Sequence, residues 1–153
     1  MALSRFFGVV PDTIAGGSTV NLDAPVGVAA TPSGTGGTLA AGTHYIRVTF
    51  LNADGETEGS AEVSAVTTGS TSSISVAWTT DARATSARVY YGTASGQQAT
   101  YFTDANGVAP LVITSASGTA GTVPSVSTAR IAIPDATDLW PVTSVTIDRQ
   151  VTQ

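Results

Sequence analysis

Apolar and polar residues alternate along most of the chain between residues 42 and 113, and turn-forming residues separate the alternating runs. The clearest run spans residues 73–79, where Ile74, Val76 and Trp78 share one side and small or hydroxyl residues occupy the other. A period of two residues is typical of a strand with one buried face. No window repeats apolar residues at helical spacing for long enough to predict a helix.

The pattern predicts seven strands, each bounded by Gly, Pro, Asn, Asp or Ser. They cover residues 26–31, 43–51, 61–67, 73–79, 87–91, 98–103 and 110–113. Between the second and third strands, residues 52–55 read Asn-Ala-Asp-Gly and predict a tight turn, because Asp-Gly favours hairpins. Turns that recur at short intervals favour an all-β, antiparallel β-sandwich.

The apolar sides of these strands define the predicted core. It consists of Ile46, Val48, Phe50, Val63, Ile74, Val76, Trp78, Val89, Tyr91, Phe102, Leu111 and Ile113. Trp78 is expected at its centre, because a buried aromatic side chain supplies a large share of a small core.

The chain divides into three regions. Residues 1–24 are predicted as an N-terminal arm, residues 25–127 as the sandwich, and residues 128–153 as a C-terminal extension. The extension has strand-like runs at residues 129–133 and 142–147, joined by the sequence PDATDLWP.

The composition of the chain is notable for how few charges it carries. Charged residues make up 11% of the chain and the net charge is −5, whereas charged residues make up roughly 25% of an average soluble domain. A polar surface with few charges repels its own copies weakly, which favours a protein that works inside an assembly. An exported or environmental domain is the alternative. The lack of a basic patch argues against nucleic-acid binding, and the lack of cysteine excludes disulfides and cysteine metal sites.

Four phrases carry a family resemblance: GTHYIRVTFLNADGETEGS, SISVAWT, ATSARVYYGTASG and TYFTD. They place a Tyr-x-Val strand, an Asn-x-x-Gly-Glu turn, a Trp-containing strand and an Arg-Val-Tyr-Tyr-Gly strand in this order along the chain. The order resembles the fibronectin type III or immunoglobulin-like modules of tailed-bacteriophage virion proteins. The resemblance implies an antiparallel immunoglobulin-like β-sandwich of about seven strands that decorates a capsid or belongs to a tail.

Two groups of residues are candidate sites of chemistry. His44 is the only histidine, and a hydrolytic triad would need it beside a serine and a carboxylate. No nucleophile motif accompanies it, so we expect a surface or strand-end histidine. The oxygens of Asn52, Asp54, Glu56 and Glu58 could surround Ca²⁺, but a solvated acidic hairpin is the expected state. No catalytic, cofactor-binding or metal site is predicted.

Apolar residues in the two flanking regions are the candidate contact residues. They are Phe6 and Phe7 in the arm, and Leu139 and Trp140 between Pro134 and Pro141 in the extension. Adjacent Phe side chains are costly to leave in water, and Trp is enriched at interface hot spots. They pack either on their own sandwich or on a neighbouring subunit.

These observations favour a non-enzymatic structural protein of a bacteriophage virion. More narrowly, we expect a capsid decoration (cement) protein that binds and stabilises the head shell as a symmetric homo-oligomer, for example a trimer. Its partners would be its own copies and the major capsid protein or another virion protein, without nucleic acid, membrane or cofactor. A tail, neck or fibre component is the first alternative, and a carbohydrate-binding adhesion module that stacks sugars on Tyr90 and Tyr101 is the second.

The N-terminus bears on where the protein is found. Residues 1–17 hold one Arg and a short apolar patch that Gly8 and Pro11 interrupt. The patch is too short for a secretory segment or a membrane span. We therefore expect a protein made in the host cytoplasm and assembled on the virion, without export by a cleaved signal.

Overall fold

Strands and turns, without a helix, make up residues 19–132, the part of the chain that this computed structural model describes. The strands are β1 (Thr19–Asn21), β2 (Ala29–Ser33), β3 (Gly42–Leu51), β4 (Val63–Thr67), β5 (Ser73–Ala77), β6 (Ser86–Gly92), β7 (Thr100–Asp104), β8 (Leu111–Ile113), β9 (Thr119–Ala120) and β10 (Arg130–Ala132). Across these described residues, no helix has the length and apolar character needed to cross a membrane.

The strands form three sheets. One has three strands in the order β2-β5-β8, and another has five in the order β4-β3-β6-β7-β9. Strand pairing within both is antiparallel. A two-stranded ribbon, β1-β10, completes the set. The prediction of an all-β antiparallel sandwich is therefore confirmed.

The seven predicted strands are all present as β2 to β8, with ends that differ from the prediction by at most three residues. The largest difference is in β2, which begins at Ala29 instead of residue 26; it also continues through Pro32 instead of ending before it. Pro32 is tolerated there because β2 is an edge strand, where a residue without an N–H removes no essential ladder bond. The pattern did not predict β1 or β9, while β10 lies inside the strand-like run at residues 129–133. The run at residues 142–147 lies outside the described residues.

The connection between β3 and β4 explains why β4 begins two residues later than predicted. The N–H groups of Val48 and Phe50 donate to the hydroxyls of Ser60 (2.9 Å) and Thr57 (3.0 Å). The backbone N–H groups of Thr57 and Ser60 donate in return to the carbonyls of Phe50 (2.9 Å) and Val48 (2.8 Å). Side-chain hydroxyls therefore accept the hydrogen bonds of two backbone N–H groups of β3 that a paired strand would otherwise accept. Regular pairing of β3 with β4 begins only at Val63.

The core lies between the two larger sheets. All twelve predicted core residues belong to one apolar cluster, nine of them buried, with Val63, Phe102 and Leu111 partly buried against it. The cluster also contains Leu22, Leu39, Ala65, Ala87 and Ala129. Leu22 and Ala129 fall in the regions assigned from sequence to the arm and the extension, and the compact unit runs from Val20 to Ile131.

The outer face of the five-stranded sheet is also covered. Arg47, Tyr90 and Tyr101 are cross-strand neighbours on β3, β6 and β7, and they alternate with the inward-facing Val48, Val89 and Phe102. Residues 121–128, here called the covering segment, pass over this row. Gly121 donates its N–H to the Ala99 carbonyl (3.0 Å), and the Pro124 carbonyl accepts from Gly59 (3.2 Å). Tyr90 is consequently only 2% exposed although it faces away from the core.

Candidate functional site

The four contact residues predicted from sequence, Phe6, Phe7, Leu139 and Trp140, lie outside the described residues 19–132. Because these four residues belong to the two flanking regions, the relevant part of the structure is where the chain enters and leaves the sandwich.

Both flanking regions connect to the sandwich through paired strands. β1 and β10 are hydrogen-bonded neighbours, and the Leu22 N–H donates to the Ala129 carbonyl at 3.0 Å. Both Leu22 and Ala129 are buried in the core. The chain on the N-terminal side of β1 and the chain on the C-terminal side of β10 therefore start from adjacent strands. We call this ribbon and its anchoring residues the paired exit.

The turn at residues 52–55 fastens the paired exit to the sandwich. Asn52 accepts hydrogen bonds at Oδ1 from the N–H groups of Asp54 (3.0 Å) and Gly55 (3.2 Å), and its Nδ2 donates to the Arg130 carbonyl at 2.7 Å. Asn52 thus shapes the turn with one side of its amide and holds β10 with the other. Asn is suited to this double role because its side chain both accepts from nearby backbone and donates.

Glu56 holds the chain just before β10 through its backbone. Its carbonyl accepts from the N–H of Thr128 (2.8 Å) and, at 3.3 Å, from that of Ala129. Its own N–H donates to Thr128 Oγ1 at 3.0 Å. With a fourth bond from Thr128 Oγ1 to the Glu56 carbonyl (3.2 Å), these hydrogen bonds between residues far apart in sequence anchor the C-terminal end of the sandwich.

The Glu56 side chain is partnered as fully as its backbone. Its carboxylate accepts hydrogen bonds from Thr49 Oγ1 (2.7 Å) and the Tyr90 hydroxyl (2.8 Å), and it forms an ion pair with Arg88. The guanidinium of Arg88 lies 4.4 Å from the centre of the Tyr101 ring, a cation–π distance. Burial, with the hydrogen bond to Glu56 next, raises the pKa of Tyr90 to about 12. The Glu56 carboxylate therefore holds together the outward-facing side chains of β3 and β6 on the face that the covering segment covers.

The acidic hairpin is not built as a cation site. Of the four oxygen-bearing residues proposed from sequence, Asn52 uses its carbonyl on the turn backbone and Glu56 is engaged by Thr49, Tyr90 and Arg88. Asp54 and Glu58 are exposed. Within residues 19–132, no three His, Asp or Glu side chains are placed to share a metal ion.

His44 is buried, with 3% of its surface exposed, so the expectation of a surface position is wrong, although it does lie near the start of β3. Its Nε2 lies 2.8 Å from Thr67 Oγ1 and its Nδ1 2.7 Å from the Tyr91 hydroxyl. Because Thr67 donates to the Ala40 carbonyl (2.6 Å), Thr67 accepts from His44 Nε2–H, and Nδ1 accepts from Tyr91. One neutral tautomer satisfies these bonds. These hydrogen bonds join His44 on β3 to Thr67 on β4 and Tyr91 on β6.

Tyr90 is not available for stacking on a sugar. The carbohydrate alternative needs two exposed rings, but Tyr90 is buried by the covering segment and its ring lies 5.4 Å from that of Tyr101 in a tilted pair. Tyr101 is partly exposed and already contacts Arg88. The two rings pack against each other and form no open platform.

Gly55 tests the anchor directly, because a Cβ there would lie 2.2 Å from Thr128 Oγ1. We expect Gly55→Ala to displace the chain at Thr128 and to lower the free energy of unfolding by about 1–3 kcal/mol, as overpacking does. Urea denaturation and faster amide exchange at Thr128 would measure the effect. Gly34→Ala is the matched control, since nothing lies within 4 Å of its Cβ position. Equal stability of the two variants would contradict the anchor.

Sequence reasoning did not find the Glu56 side-chain network or the paired exit. The sequence does contain one indication of the Glu56 network: Thr49 and Arg88 alternate with inward-facing apolar residues and so face outward. Which outward residues meet depends on the register of β3 against β6, which the sequence pattern leaves open.

Comparisons with known proteins add no relative. Neither the family models, nor the curated proteins, nor the solved structures contain a significant match to this chain.

Proposed function

We propose that this chain is a structural protein of a tailed-bacteriophage virion, most narrowly a capsid decoration (cement) protein that binds and stabilises the head shell. The paired exit is the observation that carries the role. It holds the two flanking regions on adjacent strands, β1 and β10, and anchors them to the 52–56 turn. Residues 1–18 and 133–153 continue from these adjacent strands, and in the proposed role both contact neighbouring subunits. The virion setting comes from the family resemblance of the sequence.

The hydrogen bonds of the buried and half-buried polar side chains, which are made to neighbours in the fold, support a role in contact with other proteins. His44, Glu56 and Tyr90 are each engaged by neighbours that belong to the fold. The chain also carries few charges, 11% of its residues, and a surface of this kind tolerates close packing of many copies. These properties fit a protein whose task is contact with other subunits.

The proposed partners are copies of this chain and the major capsid protein. Phe6, Phe7, Leu139 and Trp140 are the proposed contact residues, since buried aromatic anchors dominate the energetics of protein interfaces. Weak contacts made by many copies add up through multivalency, so a decoration protein strengthens a shell without large individual interfaces.

A tail, neck or fibre component would use the same paired exit. The two roles differ in the number of copies on each particle and in their location, because a shell repeats its binding sites over its whole surface. Electron microscopy of particles that carry the protein measures both. Density distributed over the head supports decoration, and density confined to the tail would transfer the proposal to a tail component.

Removal of residues 2–15 tests the role of the arm. We expect the truncated protein to lose capsid binding while its melting temperature stays near that of the full chain, because the truncation leaves β1 to β10 intact. Co-sedimentation with capsids that lack the protein measures binding, and Arg83→Ala on the sandwich surface serves as a control that keeps it. Normal occupancy by the truncated protein would contradict the proposal.

A further inference from the structure

Arg47 is a cation left without a partner by the described residues. It lies on the outward side of β3, and its Nε is buried without a hydrogen-bond partner in residues 19–132. The ion pairs formed within this part of the chain are Arg83–Asp81 and Arg88–Glu56. Burying a charged N–H group without an acceptor costs free energy. The charge of an anion bound nearby would offset part of that cost without contacting the Nε–H itself.

A cavity of about 300 Å³ lies against Arg47. Residues 96–99, which lead into β7, form one wall, and residues 122–125 of the covering segment form the other. The aliphatic part of Arg47 passes beside Gly59, where a Cβ would meet Val123 Cγ1 at 2.3 Å and Arg47 Cδ at 3.5 Å. Packing beside Gly59 therefore restricts the stem of the side chain, and we call the adjoining cavity the Arg47 pocket.

Glu62 shapes this pocket without pairing with Arg47. Its carboxylate accepts hydrogen bonds from Ser95 Oγ (2.6 Å), the Gly96 N–H (2.8 Å) and Gln98 Nε2 (2.5 Å). These bonds, Ser95 first, lower the pKa of Glu62, and the charge of Arg47 contributes least. Glu62 thus fastens the turn that forms one wall of the pocket. Gln98, which it holds, is 5% exposed.

The charges around the pocket favour one class of ligand. Arg47 supplies a planar fork of donors that matches a carboxylate or a phosphate. The negative charge of Glu62 nearby opposes a doubly charged phosphate more than a singly charged carboxylate. The wall at residues 122–125, of Thr, Val, Pro and Ser, suits a small group with an apolar neighbour, as in an acidic side chain or a simple organic acid.

We propose that the Arg47 pocket binds a carboxylate group, presented by an acidic side chain of a partner protein or by a free organic acid. The carboxylate pairs with the guanidinium of Arg47 and lies between the 96–99 turn and the covering segment. This site is independent of the proposed function, since it requires neither a capsid nor the flanking regions.

The test is an NMR titration of the ¹⁵N-labelled full chain with sodium acetate, with sodium chloride at equal ionic strength as reference. We expect saturable shifts of the Arg47 Nε–H signal and of the Gly96 and Thr122 amides, with a dissociation constant on the order of 1–10 mM for so small a ligand. Arg47→Met keeps the packing stem and should weaken binding by about tenfold or more. Arg83→Met, which removes the exposed partner of Asp81, should bind as the wild type does.

Several outcomes would overturn the proposal. They are shifts that chloride reproduces, shifts that never saturate, and acetate binding that Arg47→Met retains. If Arg47→Met fails to fold, Arg47→Lys decides in its place, because it keeps the charge and loses the fork; undiminished binding by that variant contradicts a paired guanidinium.

A pair of short peptides separates the two sources of the carboxylate. One carries an internal Asp between alanines, the other carries Asn at the same position, and both are amidated at the C-terminus. Binding of the Asp peptide at lower concentration than acetate, with none by the Asn peptide, supports a partner protein. Tighter binding by acetate supports a free acid. Binding of both peptides alike would overturn carboxylate recognition.

Discussion

Replacing Trp78 with alanine is expected to lower the free energy of unfolding by about 3–5 kcal/mol, the usual cost of truncating a large buried aromatic side chain. Trp78 follows β5 directly and is 5% exposed in the core cluster. Its Nε1–H donates to the Gly107 carbonyl at 3.2 Å. The alanine variant therefore loses apolar contact area and also the donor that holds the loop after β7.

Urea denaturation followed by circular dichroism measures this loss without depending on tryptophan fluorescence. Trp78→Phe is the informative comparison, because it keeps an aromatic ring in the core and removes the N–H donor. We expect the phenylalanine variant to lose about 1–3 kcal/mol, mainly from the unsatisfied carbonyl. An unchanged denaturation midpoint for the alanine variant would show that Trp78 does not stabilise the core.

The strands could be predicted because local alternation reports which side chains are buried together. Ile46, Val48 and Phe50 share one side of β3, and the structure buries all three. The same rule, applied two residues earlier, places His44 on the buried side as well. The expectation of a surface or strand-end position rested on the missing nucleophile motif and did not use this alternation. A buried polar side chain is acceptable when it is hydrogen-bonded, and Thr67 and Tyr91 supply those bonds.

The features around the outer face could not be predicted, because they depend on contacts between residues far apart in sequence. Glu56 bonds to Arg88 and Tyr90 only because β3 and β6 pair with Val48 opposite Val89. A shift of one residue in that register would direct Arg88 and Tyr90 into the core. Tyr90 also looks exposed in the sequence pattern, since nothing local indicates that residues 121–128 return to cover it.

Glu56→Gln is expected to lower the free energy of unfolding by about 2–3 kcal/mol, because it removes the charge that pairs with Arg88 and weakens the hydrogen bonds from Thr49 and Tyr90. The estimate is below that for a fully buried pair because the Arg88 and Glu56 side chains keep 29% and 15% of their surface exposed. Glu58→Gln is the matched control, since Glu58 is exposed two residues away, and we expect it to stay within about 0.5 kcal/mol of the wild type.

Tyr90 provides a second measurement that a general loss of stability would not reproduce. Its pKa is raised from 10.0 to about 12 in the folded protein, so its contribution to stability is complete below pH 10 and is lost as the pH rises through about 12. Glu56 is the second cause of this shift after burial. In Glu56→Gln the pKa of Tyr90 should therefore fall below 12 but stay above its ordinary value, because burial remains.

The pKa of Tyr90 is measured from tyrosinate absorbance against pH in the wild type and in Glu56→Gln. The Tyr90→Phe variant identifies which part of the absorbance belongs to Tyr90. A Tyr90 pKa that does not change in Glu56→Gln would show that the carboxylate does not accept the Tyr90 hydrogen bond, and the outer face would then be held by packing of the covering segment alone.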